Sequence, residues 1–398
     1  MRCAVAIEGA VALAYSGTLE EDLVDGQGRD AAWFHARMPE PELLRDLLIG
    51  DPVARLLDVA RDRAIVDGSL VAVARSDADD AAVRAALALA VSAAKLVSDK
   101  GPAAELSPEQ SQALELFVLL VSRPALFVRD GDLAERPENW PELRRDSLLL
   151  PQTIAGVGRL EQSDGARCGT GFLVGDCKVL TNNHVVCALL GQRLGFWQNS
   201  ADTYARMCEQ HGRAWGNPDA ERPRFELYGE IDATRSSVVA VCGIAGHHPD
   251  RDLAVLAIER EPPGARRLRL AAQEPASFRS RRVYALGYPI DDQRTALGSR
   301  VTPAAIFQRI FGADDSSLGT KRLSPGVVVD WDGEAFVHDA STLPGSSGSC
   351  IIDFESRKVV GVHFGGSYRD RKNLAIPLFR LAKDEHLAGC GVVFEGAA

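Results

Sequence analysis

The chain lacks any uninterrupted apolar stretch that approaches the roughly 20 residues needed to cross a bilayer. Its beginning, MRCAVAIEGAVALAYSG, contains an apolar stretch, but Glu8 lies where a signal peptide would be most hydrophobic. The sequence therefore predicts neither a membrane span nor a secreted precursor. We expect a cytoplasmic protein.

The chain also has fewer basic than acidic residues. The chain has 45 Lys and Arg against 55 Asp and Glu, which gives a net charge of −10. An extended surface for nucleic acid or an anionic membrane needs the opposite sign of charge. We therefore expect no nucleic-acid or membrane partner, although an acidic surface does not by itself select a substrate.

The cysteines lack the C-x-x-C spacing of a redox or zinc motif. Eight are scattered along the chain: Cys3, Cys168, Cys187, Cys177, Cys208, Cys242, Cys350 and Cys390. In a chain of this size the pattern is typical of reduced thiols rather than a disulfide framework. A pairing of Cys168 with Cys187, which flank His184, stays open. Zinc is disfavoured because no second ligand pair completes a site, and we expect no metal or cofactor.

A length of 398 residues suggests two domains. Residues 1–145 are rich in Ala and Leu and carry helix signals: Pro41 and Pro52 each open an apolar-periodic run, and Ser107 precedes Pro108 as an N-cap. We predict a mainly helical N-terminal domain that regulates or recruits, with a plain packing module as the alternative. Residues 130–150 are polar and contain two prolines, so the boundary is placed there.

Residues 150–398 change to short β-like runs separated by Gly, Asp, Pro and Asn. Examples are GTGFLV, CKVLTN, LAVLAI, RVYALGYP and KVVGVHFGG. Many short strands with such turn signals predict a sandwich or barrel rather than a βαβ sheet.

Three residues in this half have the types that acyl transfer requires. His184 follows an apolar strand, Asp252 precedes another, and Ser347 lies at a Gly/Ser turn in LPGSSGS. A serine hydroxyl needs a neutral imidazole to take its proton, and the imidazole needs a carboxylate to fix its tautomer. The N–H groups of Gly345 and Ser347 would then hold the oxyanion.

Each of these residues also fits a plain structural role. A single histidine is often a loop residue, a single aspartate is often a turn residue, and a Gly/Ser turn is often a hairpin. Asp250 is a rival for the acid, but we prefer Asp252 because it abuts the strand, where its carboxylate would be fixed. A serine esterase or lipase of the α/β-hydrolase type is a further alternative, but the chain order His, Asp, Ser opposes it, because that fold runs Ser, then Asp or Glu, then His.

The motifs GTGFLVGDCKVLTNNHVV, DRDLAVLAI and LPGSSGS, followed by VVGVHFGG, resemble those of trypsin-like serine proteases, and most closely the bacterial glutamyl-endopeptidase branch. The resemblance covers residues 150–395. It implies a mainly β domain of two perpendicular six-stranded antiparallel β-barrels with the site between them, and peptide hydrolysis through an acyl-enzyme at Ser347. Ser346 stands where chymotrypsin-type enzymes carry the Asp that pairs with a freed N-terminus, so that activation switch is absent.

In the glutamyl-endopeptidase branch, a Thr before the nucleophile and a His on the following strand line the P1 pocket. The matching residues are Thr342 and His363, which imply a preference for an acidic P1 side chain. A charged His363 would bind a carboxylate, whereas a neutral His363 would serve strand pairing. Gly365 and Gly366 would leave a bare strand edge for the substrate backbone.

The sequence thus predicts a serine endopeptidase of protein or peptide substrates, with a possible protein partner for its helical domain. A catalytically silent peptide-binding module on the same fold is the alternative.

Overall fold

The structure is a computed structural model. It describes residues 30–66, 77–191, 215–217, 221–289, 319–342, 345–367 and 372–395. Residues 1–29 of the predicted N-terminal domain, with Cys3, lie outside the described residues, and so does Cys208.

The N-terminal part is helical. Its helices are α1 (Ala31–His35), α2 (Pro41–Leu48), α3 (Pro52–Val66), α4 (Asp77–Lys100) and α5 (Pro108–Phe117). The predicted start at Ser107 is a full capping box, in which the Ser107 hydroxyl accepts from Gln110 N–H and the Gln110 side chain accepts from Ser107 N–H. The apolar faces of these helices pack into one core around Phe34, Ala90 and Phe117. Its role as a separate regulatory domain stays a prediction.

None of the helices in the described ranges combines the length and apolar character of a membrane span. Within the same ranges, no cluster of three or more His, Cys, Asp or Glu side chains is placed to hold a metal ion. Cys168 and Cys187 are both free thiols, and Cys187 is buried.

The first barrel is closed and antiparallel, with the strand order β3-β4-β5-β8-β7-β6. Its strands are β3 (Val157–Glu161), β4 (Arg167–Gly175), β5 (Lys178–Thr181), β6 (Arg224–Glu226), β7 (Val238–His247) and β8 (Ala254–Ile258). Helix α8 (Asn183–Leu189) directly follows β5. The interior is filled by fully buried side chains that include Leu173, Val179 and Phe225.

The second barrel is a ring of six antiparallel strands, β10-β13-β14-β15-β12-β11, closed by the pairing of β10 with β11. The strands are β10 (Arg282–Gly287), β11 (Arg322–Trp331), β12 (Phe336–His338), β13 (Cys350–Asp353), β14 (Val359–Ser367) and β15 (Lys372–Pro377). Short parallel strands β9 (Leu270–Ala271) and β16 (Phe394–Glu395) join its edge, and α9 (Glu385–Gly389) lies between β15 and β16. The predicted pair of six-stranded barrels is confirmed.

A β-hairpin connects the helices to the barrels. Strand β1 (Leu126–Arg129) pairs antiparallel with β11, and β2 (Asp132–Leu133) pairs with β1. The turn residues Asp130 and Gly131 have φ values of 51° and 81°, as a two-residue hairpin turn requires. The Asp-Gly pair is a strong sequence signal for such a hairpin, and the sequence analysis placed it in a polar boundary segment instead. Short helices α6 (Pro141–Arg145) and α7 (Leu150–Ile154) follow it.

One buried ion pair lies where this hairpin and both barrels meet. Lys321 Nζ donates to the carbonyl oxygens of Ile154, at 3.0 Å, and Leu227, at 2.7 Å, and lies 3.4 Å from Glu230 Oε1. The other oxygen of Glu230 accepts from Gly131 N–H at 2.7 Å. Burial lowers the pKa of Lys321 to about 8, against the opposing effect of the Glu230 charge. The pair therefore ties three parts of the chain at one point.

Candidate active site

The first barrel brings His184 and Asp252 together. Strands β5 and β8 are antiparallel neighbours, with Thr181 opposite Ala254. Residues just after β5 and just before β8 therefore leave the barrel at the same end. His184 Nδ1 lies 2.6 Å from Asp252 Oδ2, and His184 backbone N–H donates to Asp252 Oδ1 at 3.0 Å.

The carboxylate decides which nitrogen of the imidazole carries the proton. An ionised Asp252 can only accept, so Nδ1 of His184 is the donor and Nε2 is left as the acceptor. The Asp252 side chain is 9% exposed and that of His184 is 24% exposed. The acid is thus shielded, while the imidazole remains open to a substrate.

The rival Asp250 makes no hydrogen bond to His184 among the described residues. Its backbone N–H donates to His248 Nδ1 at 3.1 Å. The segment before β8 is held by two side chains that the sequence analysis missed, since Asn182 Nδ2 donates to Asp252 O at 2.8 Å and Asn183 Nδ2 donates to Arg251 O at 3.0 Å. Two adjacent asparagines directly after a strand are the signal that could have found them.

Ser347 lies on a tight turn between β12 and β13 of the second barrel. Gly348 has φ of +84°, and a Cβ there would collide with the carbonyl oxygen of Thr170. Only glycine fits that position without a shift of the backbone. Ser347 itself is half-buried.

Thr170, on β4 of the first barrel, holds this turn. Its N–H donates to Ser347 O at 2.9 Å, and its hydroxyl donates to Gly345 O at 3.3 Å. The same hydroxyl accepts from Tyr288 N–H at 2.9 Å. Since Thr170 belongs to one barrel and the turn to the other, this contact fixes the position of Ser347 relative to the barrel that carries His184. The sequence analysis did not identify Thr170, because nothing local marks it.

A glycine next to Thr170 shows that α8 and the turn lie side by side. A Cβ on Gly169 would be 2.8 Å from the Val185 side chain and 3.2 Å from Ser347 O. Val185 directly follows His184. Within the described ranges no hydrogen bond joins the Ser347 hydroxyl to His184; bonds of this kind often shorten only when substrate binds.

Gly345 and Ser347 carry the two backbone N–H groups predicted to bind an oxyanion. Gly345 has φ of +90°, in the left-handed region that favours glycine. Within the part of the chain that the structure describes, the N–H groups of Gly345 and Ser347 donate to no other residue. Two donors are therefore left beside the hydroxyl, as an oxyanion site requires.

Thr342 and His363, the predicted pocket residues, have different surroundings. Thr342 lines a small cavity with Ser341, Ser346 and Arg322. His363, on β14, is buried, and its Nδ1 lies 3.2 Å from Nε2 of His338 on β12. The sequence analysis did not single out His338.

Burial decides between the two forms of His363. It lowers the pKa of His363 well below the usual value, with smaller contributions from His338 and His184. Burial also lowers the pKa of His338 to about 3. Both rings are therefore neutral near pH 7, so the structure favours the neutral form of His363 over the charged one.

Gly365 and Gly366 have one paired and one open side. Their partners on β15 are Leu374 and Asn373. On the other side, the pairing of β13 with β14 extends no further than Val362, and the bonds of Ser349 and Gly348 to His363 end it. In the described ranges no strand covers the opposite edge of Gly365 and Gly366. An extended peptide can add there as a further strand.

Comparison with known proteins agrees with this arrangement. Residues 169–362 match the model of the trypsin-like peptidase domain. No curated protein matches the chain.

The solved structures similar to the chain are distant. They include the active form of the M. tuberculosis protease Rv3671c, with 19% identity over 65% of this chain and 90% of that one and a TM-score of 0.37. Deg5 has 21% identity over 61% and 92%, with a TM-score of 0.37. Neuropsin, a serine protease of mouse brain, has 11% identity over 58% and 93%, with a TM-score of 0.38. Such likenesses are too weak to carry a statement about substrate or regulation. The matched family model and the two closed barrels therefore agree on a trypsin-like peptidase domain over residues 169–362.

Proposed function

We propose that the protein is a serine endopeptidase with Ser347 as nucleophile, His184 as base and Asp252 as the orienting acid. One observation carries this proposal: a shielded carboxylate holds His184 through two hydrogen bonds with Nε2 left as the acceptor. The neighbouring turn supplies a hydroxyl and two uncommitted N–H donors.

The reaction follows from these positions. Ser347 Oγ forms a bond to the scissile carbonyl carbon while its proton passes to His184 Nε2. The carbonyl oxygen becomes an oxyanion that accepts from Gly345 N–H and Ser347 N–H. The C–N bond then breaks and His184 gives its proton to the departing amine, which leaves an ester on Ser347. Water repeats the sequence with His184 as base, so the acid product is released and Ser347 regains its proton.

The substrate backbone would pair with the open edge of Gly365 and Gly366, which aligns the scissile bond with Ser347. We extend the proposal to an acidic P1 side chain. If His338 Nε2–H donates to His363 Nδ1, the proton of neutral His363 sits on Nε2 and can donate to a carboxylate. Thr342 would supply a hydroxyl donor from the other side.

The test is covalent labelling of the intact protein with a fluorophosphonate, read by mass spectrometry. We expect the label on Ser347 in the wild type and none in Ser347→Ala, because only an activated hydroxyl attacks the phosphorus. Circular dichroism of both proteins controls for folding. A folded wild type that stays unlabelled would overturn the proposal in favour of a silent peptide-binding module.

Peptidyl phosphonates that differ only at P1 test the second part. A glutamyl analogue should label Ser347 faster than a glutaminyl or leucyl analogue, since only the first presents a carboxylate to His363 and Thr342. Equal rates would remove the acidic preference and leave the endopeptidase intact.

A further inference from the structure

The segment that precedes the nucleophile turn is held by arginines of the N-terminal region. Asp339 directly follows β12 and begins residues 339–342, here called the pocket segment. Its carboxylate accepts from Arg123 Nε at 2.9 Å and from Arg123 Nη2 at 3.0 Å. Arg37, which follows α1, places its Nε 3.6 Å from the same carboxylate.

This contact is buried. The Asp339 side chain is 5% exposed, that of Arg37 is 6% exposed and that of Arg123 is 10% exposed. Within the barrel, Val327 N–H also donates to Asp339 Oδ1 at 2.7 Å. A two-point arginine–carboxylate contact fixes both distance and orientation. The N-terminal region therefore sets where the pocket segment starts.

The chain around Arg123 also holds the next part of the pocket segment. The Ser341 hydroxyl donates to the carbonyl oxygen of Arg123 at 2.5 Å. Ala125 lines the small cavity that Ser341, Thr342 and Ser346 also line. On the barrel side, Asn373 Nδ2 donates to Ala340 O at 2.7 Å.

Arg123 is itself well anchored. Its Nη1 donates to Ser122 O at 2.9 Å, and the indole N–H of Trp140 donates to the same oxygen at 3.0 Å. The guanidinium lies over the Trp140 ring, 5.4 Å from its centre. Strand β1, which starts three residues later, is paired with β11. The arginine is thus a rigid support rather than a free surface side chain.

We propose that Arg123, assisted by Arg37, is a positioning residue for the pocket segment and through it for the turn at residues 345–348. The proposal rests on the endopeptidase function of Ser347. It makes docking of the N-terminal region an activating contact, because Arg123 and Arg37 hold the pocket segment in place. An inhibitor would have to cover the site, whereas the bonds of these arginines to the pocket segment end at Asp339 and Ser341.

The variant Arg123→Met tests this in the full-length chain. Removal of the guanidinium leaves the buried Asp339 carboxylate with only one arginine partner. Because a buried charge without a partner is unfavourable, we expect the pocket segment to shift. We expect the fluorophosphonate labelling rate at Ser347 to fall about 10- to 100-fold, the cost of a displacement of about 1 Å at a reacting group. Arg123→Lys, which keeps the charge and loses the fork, should recover part of the rate.

A matched control comes from the second barrel. Arg281 makes a similar two-point contact to the buried carboxylate of Asp353, at 2.8 and 3.3 Å, at the far end of β13 from Ser347. Arg281→Met should lower stability but leave the labelling rate within about 2-fold of wild type, since it supports neither the pocket segment nor the turn. An equal loss of rate in both variants would make Arg123 merely structural. If Arg123→Met does not fold, Ser341→Ala removes only the hydroxyl contact and should still lower the rate.

Hydrogen exchange separates a failure of this proposal from a failure of the proposed function. In Arg123→Met, amide exchange should rise in residues 339–342 and stay unchanged in β3 to β5. If wild type and Arg123→Met are labelled equally fast, the positioning role is overturned and the peptidase stands. If the wild type is not labelled, the peptidase is overturned, and unchanged exchange in residues 339–342 would then overturn the structural contact as well.

Discussion

At the scale of single residues, Asp252 holds His184 by two different groups. One oxygen binds the ring nitrogen and the other binds the backbone N–H. The ring therefore cannot rotate without loss of a charge-assisted bond. The backbone bond alone is enough to hold α8 against the segment before β8. The bond to the ring can therefore serve to orient the imidazole for proton transfer.

The variant Asp252→Asn isolates that chemistry. An amide at this position can donate to Nδ1, which moves the imidazole proton to Nε2 and removes the base. We expect the labelling rate of Ser347 to fall about 10³- to 10⁴-fold with the fold retained. Asp250→Asn is the matched control, because the Asp250 backbone N–H donates to His248 and, among the described residues, no hydrogen bond joins Asp250 to His184; its rate should stay within about 3-fold of wild type. A larger loss in Asp250→Asn than in Asp252→Asn would reverse the assignment of the acid.

Local sequence marks some of these residues and leaves others unmarked. His184, Asp252 and Ser347 stand beside strands in recognisable surroundings, so spacing and chemistry suffice to select them. Thr170 and Arg123 act through contacts to residues far away in the chain; Arg123 and Asp339 are 216 positions apart. No periodicity or turn signal links two such positions, because the barrels bring them together.

At the scale of elements, β12 and β14 flank β15 in the second barrel. Each carries one buried histidine, and the two rings are in contact. His338 is fully buried, and its Nδ1 has no hydrogen-bond partner among the described residues. A protonated ring there would be an uncompensated buried charge. The pair therefore makes the second barrel sensitive to acid.

The sign of this effect follows from the pKa of His338, which burial lowers to about 3 from about 6.5 in the unfolded chain. Below pH 6.5 the unfolded state binds more protons than the folded state. Stability is therefore fully present above about pH 6.5 and is lost as the pH falls towards 3. At about pH 5 the loss from this one group is on the order of 2 kcal/mol.

The variant His338→Gln should flatten this dependence, because it cannot be protonated. Urea unfolding at about pH 7.5 and about pH 5 measures the difference in the free energy of unfolding. His386→Gln, at an exposed position of α9, is the control and should keep the wild-type slope. A wild-type slope in His338→Gln would show that His338 is not the titrating group.

Sequence patterns predict elements better than they predict the pairing of elements. The Ser107 cap, the proline starts of α2 and α3 and the short strands of both barrels all follow from local signals. The pairing of β1 with β11 does not, because its register depends on a strand almost 200 positions later. The Asp130-Gly131 pair indicates a turn, but nothing in the local sequence indicates that the hairpin pairs with β11.

At the scale of the whole molecule, Lys321 and Glu230 join the hairpin to both barrels. Loss of one member of a buried ion pair leaves an unpaired buried charge. Lys321→Met should therefore lower the free energy of unfolding by about 3–5 kcal/mol in urea titrations. Arg267→Met breaks a half-exposed pair with Glu261 and should cost far less stability than Lys321→Met, because water screens such a pair.

The double variant Lys321→Met with Glu230→Leu completes the comparison. It removes both charges, and apolar side chains of similar size recover much of the loss. It should therefore be more stable than Lys321→Met alone. If the two variants are equally unstable, packing around Tyr288 rather than charge accounts for the effect.

The hairpin also determines where the chain can be cleaved so that the two fragments stay associated. A nick between residues 134 and 140 would leave β1 on the N-terminal fragment, hydrogen-bonded to β11 of the other fragment. Arg123 would stay on Asp339, and Glu230 would still hold Gly131. The two pieces would remain one particle, held by a strand that one donates to the other. A break before Arg123 would leave that arginine on the fragment with the barrels, while the helices would stay in contact with it through Arg37 and Asp339 and through Ala125, which packs in the helical core.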